Sequence, residues 1–318
     1  MKKHRKLLIA GLALIIVAIG AFVLYHRMAQ VPDAVLLLPD GDLLLYVNLK
    51  PVHFLNLSKS SQGDPEYKEF VRQTGIDWGR DLDNVAISQR HPGSDSDSSA
   101  IFTGHFDSTR LKNYLQKLSS GTERYADHTI YLIPHEGRPV RACILNASMV
   151  GVTNTASIEP MRGIIDKSRD SSLVGRGPSL LAAYYHDVPV TSLAWALYRM
   201  PPQADAAQQP LGFSFDFLEN TVTVASLRYT GSLHFKGQIV AQSQAAAQDL
   251  AERANNFLAL YRTVGKSVGP RGADPDVKAM VDSIQIQQDG NSAIVTAIIP
   301  EGFLKKVTSE NGGISVGQ

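Results

Sequence analysis

The sequence predicts an α+β fold, in which an N-terminal transmembrane helix is followed by two antiparallel-sheet-plus-helix modules at residues 34–170 and 190–310. Three observations predict it. An uncharged apolar run opens the chain, short β-patterned segments are separated by hairpin-length turns, and capped amphipathic helices fall between those segments in a similar order in both halves. With 318 residues, 44% of them apolar, the chain is long enough for an anchor and one or two domains with a real core. Its average composition excludes the collagenous, disulfide-framework and wholly disordered classes.

The opening run, Leu7 to Tyr25, holds 19 residues without a charge. As a helix it is about 28 Å long, close to the hydrocarbon thickness of a bilayer. Lys2, Lys3, Arg5 and Lys6 precede it and only Arg27 follows closely, so the positive-inside rule makes residues 1–6 a cytoplasmic tip and places the rest outside the cytoplasm, in the periplasm of a Gram-negative cell. The run exceeds a signal-peptide core, and Tyr25 to Ala29 offers no small-x-small cleavage site, so a retained anchor is expected over a cleaved one. The membrane is therefore the first expected partner.

Without residues 1–30, the chain carries 26 Lys and Arg against 30 Asp and Glu. This mildly acidic body lacks the basic footprint of a nucleic-acid binder. The single Cys143 excludes an internal disulfide and a cysteine-based zinc site. Its alternating surroundings, RPVRACILN, predict a buried, inert thiol in a strand.

The first module begins with Asp42 to Lys50, a buried strand bounded by Pro39-Asp40-Gly41 and Pro51. Asp64 to Gly75 is a helix with Asp at the N-cap, Pro at the first position and Gly at the end. Leu82, Val85 and Ile87 lead a strand, and His91 to Ala100 reads as a polar loop. A strand over Ala100 to Phe106 precedes a helix capped at Asp107-Ser108, whose stripe is Leu111, Tyr114, Leu115 and Leu118. Three strands follow, HTIYLIP, RPVRACILN and SMVGVTN, the first two joined through His135-Glu136-Gly137, and then a helix over Ile158 to Lys167. A helix near Ser179 to Tyr185 bridges to the second half.

That half repeats the grammar. Leu193 to Met200 echoes Asp42 to Lys50, and FSFDFLENTVTVASLRY is a hairpin turning at Glu219-Asn220. Ser232 to Gln242 is a strand leading into a long helix with Leu250, Ala254, Phe257, Leu258 and Tyr261 on one face. Asp274-Pro275 starts a short helix, SIQIQQDGNSAIVTAII forms a hairpin around Asp289-Gly290-Asn291, and EGFLKKV opens a terminal helix. Identity between the halves is too low to prove a repeat. Helices are expected on one face of each sheet, leaving the other face to pair the modules.

No catalytic motif meets a specificity test. There is no HExxH and no GxSxG elbow, and Leu260 occupies the place of the first P-loop glycine before Gly265-Lys266-Ser267. Asp77, Asp81 and Asp83 fail the EF-hand pattern and read as caps and turns. His105 in GHFD and His234 in LHFKG occupy matching places in the two halves. With Asp107, His128 and His135 they are the candidate binding residues; no cofactor or metal is expected.

LLLPDGDLLLYVNLKPV together with TGIDWGRDLDNVAIS, residues 34–90, resembles the start of uncharacterised bacterial envelope proteins that carry one N-terminal anchor. The resemblance implies a location and nothing catalytic. The expected function is a non-enzymatic, membrane-anchored, extracytoplasmic binding or scaffold protein that engages a protein partner or copies of itself. The alternatives are an anchored hydrolase with a site in the His91–His135 region and a carrier of an apolar ligand or lipid.

Overall fold

The computed structural model describes residues 30–51, 65–92, 97–135, 138–170, 172, 175, 177–200, 220–267 and 274–302. The expected membrane span and cytoplasmic tip, the first arm of the 213–229 hairpin and most of the terminal helix lie outside these residues. Among the described residues no helix is long and apolar enough to cross a membrane.

The architecture is α+β around one antiparallel sheet of 12 strands. In chain order the elements are α1 (Asp33–Leu36), β1 (Leu43–Asn48), α2 (Pro65–Thr74), α3 (Trp78–Asp81), β2 (Leu82–Arg90), β3 (Asp97–Gly104) and α4 (Ser108–Leu118). Then come β4 (Gly121–Tyr125), β5 (His128–Ile133), β6 (Val140–Asn146), β7 (Met149–Asn154), α5 (Glu159–Arg169) and α6 (Ser179–Tyr184). The second half holds β8 (Ala194–Arg199), β9 (Val222–Tyr229), β10 (Leu233–Val240), α7 (Gln244–Ser267), α8 (Pro275–Ser283), β11 (Gln285–Asp289) and β12 (Ser292–Ile299).

Strand order across the sheet is β11-β12-β10-β9-β8-β1-β2-β3-β7-β6-β5-β4. Read outward from the centre, β1-β2-β3-β7-β6 on one side matches β8-β9-β10-β12-β11 on the other, with β4 and β5 as an additional hairpin. The two segments that echo each other in sequence, β1 and β8, are the antiparallel pair at the join, from Leu43 opposite Tyr198 to Val47 opposite Ala194. The halves therefore meet edge to edge rather than face to face as the sequence led one to expect. Main-chain pairing at that edge satisfies N–H and C=O groups that would otherwise stay open for aggregation.

Helices cover both faces, not one. On the first face Met161, Ile164 and Ile165 of α5 and Leu180 and Leu181 of α6 pack with Leu44, Tyr46, Ile101, Ile130 and Cys143 into the main core. The i, i+3, i+4 spacing in α5 places its three residues on one stripe, and full burial of each such side chain contributes roughly 1.5–3 kcal/mol. Lys167 Nζ donates to Leu38 O at 2.8 Å, fastening α5 to the segment before β1. On the second face Leu111 and Leu115 of α4 pack on Tyr131, Ala142 and Val150, while Ala247, Leu250 and Ala251 of α7 pack on Ala241 and Ala293.

Three local expectations change. β3 begins at Asp97, inside the stretch read as polar loop, because pairing with β2 from Arg90–Asp97 onward satisfies its backbone whatever its side chains are. β4, with sequence GTERY, gave no apolar alternation because it is the outermost strand and pairs only with β5. On α7, Leu250 and Leu258 are buried, but Phe257 and Tyr261 turn outward, 65% and 52% exposed.

Candidate functional site

Where the halves join, the first face of the sheet carries the main core and the second face is only partly covered. On the second face, between α4 and α7, residues directly opposite one another form two apolar rows. The first runs Leu227, Ala194, Val47, Val85, Phe102, and the second Ala225, Ala196, Leu45, Ile87, Ala100. All ten side chains are only half-buried. The helices on this face pack mainly on β5 and β6 at one side and on β11 and β12 at the other. The rows follow from sequence: β1 reads LLLYVN with no polar alternation, so when Leu44 and Tyr46 enter the main core, Leu43, Leu45 and Val47 are presented to the opposite side.

On the first face the core helices stop short of the last row of β1, β2 and β3. There Asn48, Asn84 and Thr103 stand opposite one another across three strands. They floor a trough of about 1100 Å³ whose walls come from residues 30–34 and 185–193. Tyr46 stacks on Trp195 with ring centroids 5.6 Å apart, and Tyr185 meets Trp195 edge-on, also at 5.6 Å. The Tyr185 hydroxyl donates to Gln30 O at 3.1 Å. Asp83 and Asp33 bring carboxylates to the lining, and Lys50 reaches Asp83 at 3.2 Å. Burial, then the neighbouring Tyr185 and the Asp83 charge, push the Tyr46 hydroxyl up to about 12, so it is a neutral hydrogen-bonding group at physiological pH. Asn84 Oδ1 and Thr103 Oγ1 are enclosed without a hydrogen-bond partner.

The five residues singled out from sequence do not converge. Asp107 caps α4, accepting from Thr109 N and Arg110 N at 3.0 Å each. His105 is exposed in the loop between β3 and α4. The His128 ring bridges Ala126 O at 3.0 Å and Leu145 O at 3.2 Å, bracing the β4–β5 turn against β6. His135 is exposed after β5, and its carbonyl accepts from Arg138 N. His234 lies on β10 with Nε2 2.9 Å from Ser232 Oγ. Among the described residues no hydrogen bond joins any two of these five side chains.

The aspartates near α3 are spent on structure. Asp77 accepts from Gly79 N and the Tyr67 hydroxyl, and Asp81 accepts from Asp77 N and from Arg80, whose guanidinium holds that carboxyl below its usual range. Cys143 is fully enclosed, and burial pushes its thiol up to about 12. Among the described residues no group of three His, Cys, Asp or Glu side chains is placed to hold a metal ion. The trough and the apolar rows were not identifiable as sites beforehand, because each is made by register between strands distant in sequence. The run of half-buried apolar residues on β1 was the available signal.

No protein-family model matches the chain, and no curated protein matches it. Among solved structures, it is similar to crystal form IV of TP0453, with a TM-score of 0.51 and 13% identity over 88% of this chain and 96% of that one. Crystal form III of the same protein gives a TM-score of 0.48 at 12% identity, over 88% of this chain and 99% of that one. At this identity the likeness to form IV is one of fold alone.

Proposed function

We propose that this chain is a non-enzymatic binding or scaffold protein of the extracytoplasmic cell envelope, tethered by Leu7–Tyr25, and that it docks a protein chain on the apolar sheet face between α4 and α7. The observation that carries the reading is the pair of apolar rows from Leu227 to Phe102 and from Ala225 to Ala100. Contiguous apolar surface of this kind favours association by roughly 25 cal/mol per Å² removed from water. The matched strand order of the halves supports a duplicated module, and the docking surface then lies across the junction of the two copies.

The occupant is another copy of the chain or a second envelope protein. The full-length chain, extracted in mild detergent and crosslinked, is expected to sediment as a dimer or with a co-purifying protein. A lone monomer with no crosslinked partner would overturn the reading. The hydrolase alternative has little support, since His105 and His135 make no side-chain hydrogen bond among the described residues and His128 is spent on two carbonyls.

A further inference from the structure

The trough on the opposite face has a chemistry of its own, and its reading does not depend on the docking surface. We infer that it binds an organic ammonium group, carried by a free di- or polyamine or by an aminolipid headgroup.

The first argument is charge. The lining includes the carboxylates of Asp33 and Asp83 and no Lys or Arg. Arg228 of β9, next to the lining residue Tyr229, is not part of it. Asp83 is paired with Lys50, and the lining His186 lies beside Asp187, so Asp33 is the carboxylate left to attract a cation.

The protein supplies its own precedent. The Lys50 ammonium sits 3.2 Å from Asp83 Oδ2, at the edge of the trough. Asp33 is exposed at the start of α1 and makes no ion pair among the described residues, so one carboxylate is left for an incoming ammonium.

The third argument is the wall. Tyr185, half-buried and edge-on to the buried Tyr46–Trp195 stack, is the aromatic ring offered to the trough, and an aromatic ring beside a carboxylate suits an alkylammonium group. The neutral Tyr46 hydroxyl stands among the lining groups. A volume of about 1100 Å³ suits an organic molecule rather than a bare ion. Gln30, on the rim, follows the expected membrane span by five residues, which makes a lipid headgroup a physical source of the same chemistry.

The test uses the full-length chain in non-ionic detergent. Calorimetric titration compares spermidine and 1,4-diaminobutane with uncharged 1,4-butanediol and glucose. Native mass spectrometry asks whether phosphatidylethanolamine is retained in preference to phosphatidylglycerol. Saturable binding of the amines but not the diol, weakened at least fivefold by Asp33→Asn and by raised salt, supports a free amine. Selective retention of phosphatidylethanolamine, lost in Asp33→Asn, supports the headgroup. Equal binding of diol or glucose, indifference to Asp33→Asn, or binding of neither amine nor aminolipid by chain whose circular dichroism is native overturns the inference.

Discussion

The Tyr46 ring of β1 stacks on the Trp195 ring of β8, with centroids 5.6 Å apart and planes inclined by 27°, across the strand pair that joins the two halves of the sheet. Trp195 is 3% exposed, so its removal opens a large cavity at the seam. Trp195→Ala is expected to cost about 3–5 kcal/mol. Because one sheet runs through both halves, urea unfolding followed by far-UV circular dichroism is expected to remain a single transition shifted to lower denaturant. Two separated transitions would show that the halves are energetically independent.

Ile87 stands in the middle of the second apolar row, half-buried and opposite both Leu45 and Ala100. Ile87→Lys removes apolar area and places a charge where a partner would desolvate it. Its long stem can still lie along the sheet while the ammonium reaches water. The expected outcome is loss of self-association or of the co-purifying chain in sedimentation, with a stability loss within about 1–2 kcal/mol.

Asp107 tests whether a residue that looked like part of a site is a cap. Both of its hydrogen bonds go to the first turn of α4, so Asp107→Ala is expected to lower stability by about 1 kcal/mol. Asp107→Asn or Asp107→Ser is expected to restore most of that loss in a thermal melt. Failure of both replacements would indicate a role for the carboxylate charge itself.

Burial raises the Cys143 thiol from 9.0 to about 12 and the Tyr46 hydroxyl from 10.0 to about 12. The unfolded chain releases these protons first, so the folded state holds more of them above pH 9. The stability they contribute is complete below pH 9 and is lost as pH rises towards 12. Urea midpoints measured between pH 8 and 11 are expected to fall, with a shallower slope in Cys143→Ala. At pH 8 the native thiol is expected to resist a thiol reagent that labels it readily in denaturant.

Much of the fold was legible because its elements are locally punctuated. Asp107 and Asp274 cap their helices as their sequences suggest, and the hairpin at Gly290-Asn291 turns through a positive φ at Gly290. The echo between the β1 and β8 segments was also visible. That they pair with each other was not, because pairing between strands so far apart depends on the whole sheet rather than on either segment. β4 was invisible because an outermost strand needs no apolar face, and the outward turn of Phe257 and Tyr261 depends on where the sheet beneath α7 ends. His105 and His234, read as matching places in the two halves, fall differently: His105 in the loop after β3 and His234 at the start of β10. The site-forming residues Asn48, Asn84 and Thr103 are unremarkable in sequence and become a row only through register.

Photo-crosslinking from the apolar face tests the central claim most directly. A photoreactive amino acid placed at Val85 in the full-length chain, in its native membrane, is expected to give a discrete protein adduct, to a second copy or to another envelope protein. The same probe at Glu123, on the outermost strand β4, is expected to give none. Absence of any protein adduct from Val85, or equal adducts from both positions, would contradict the account.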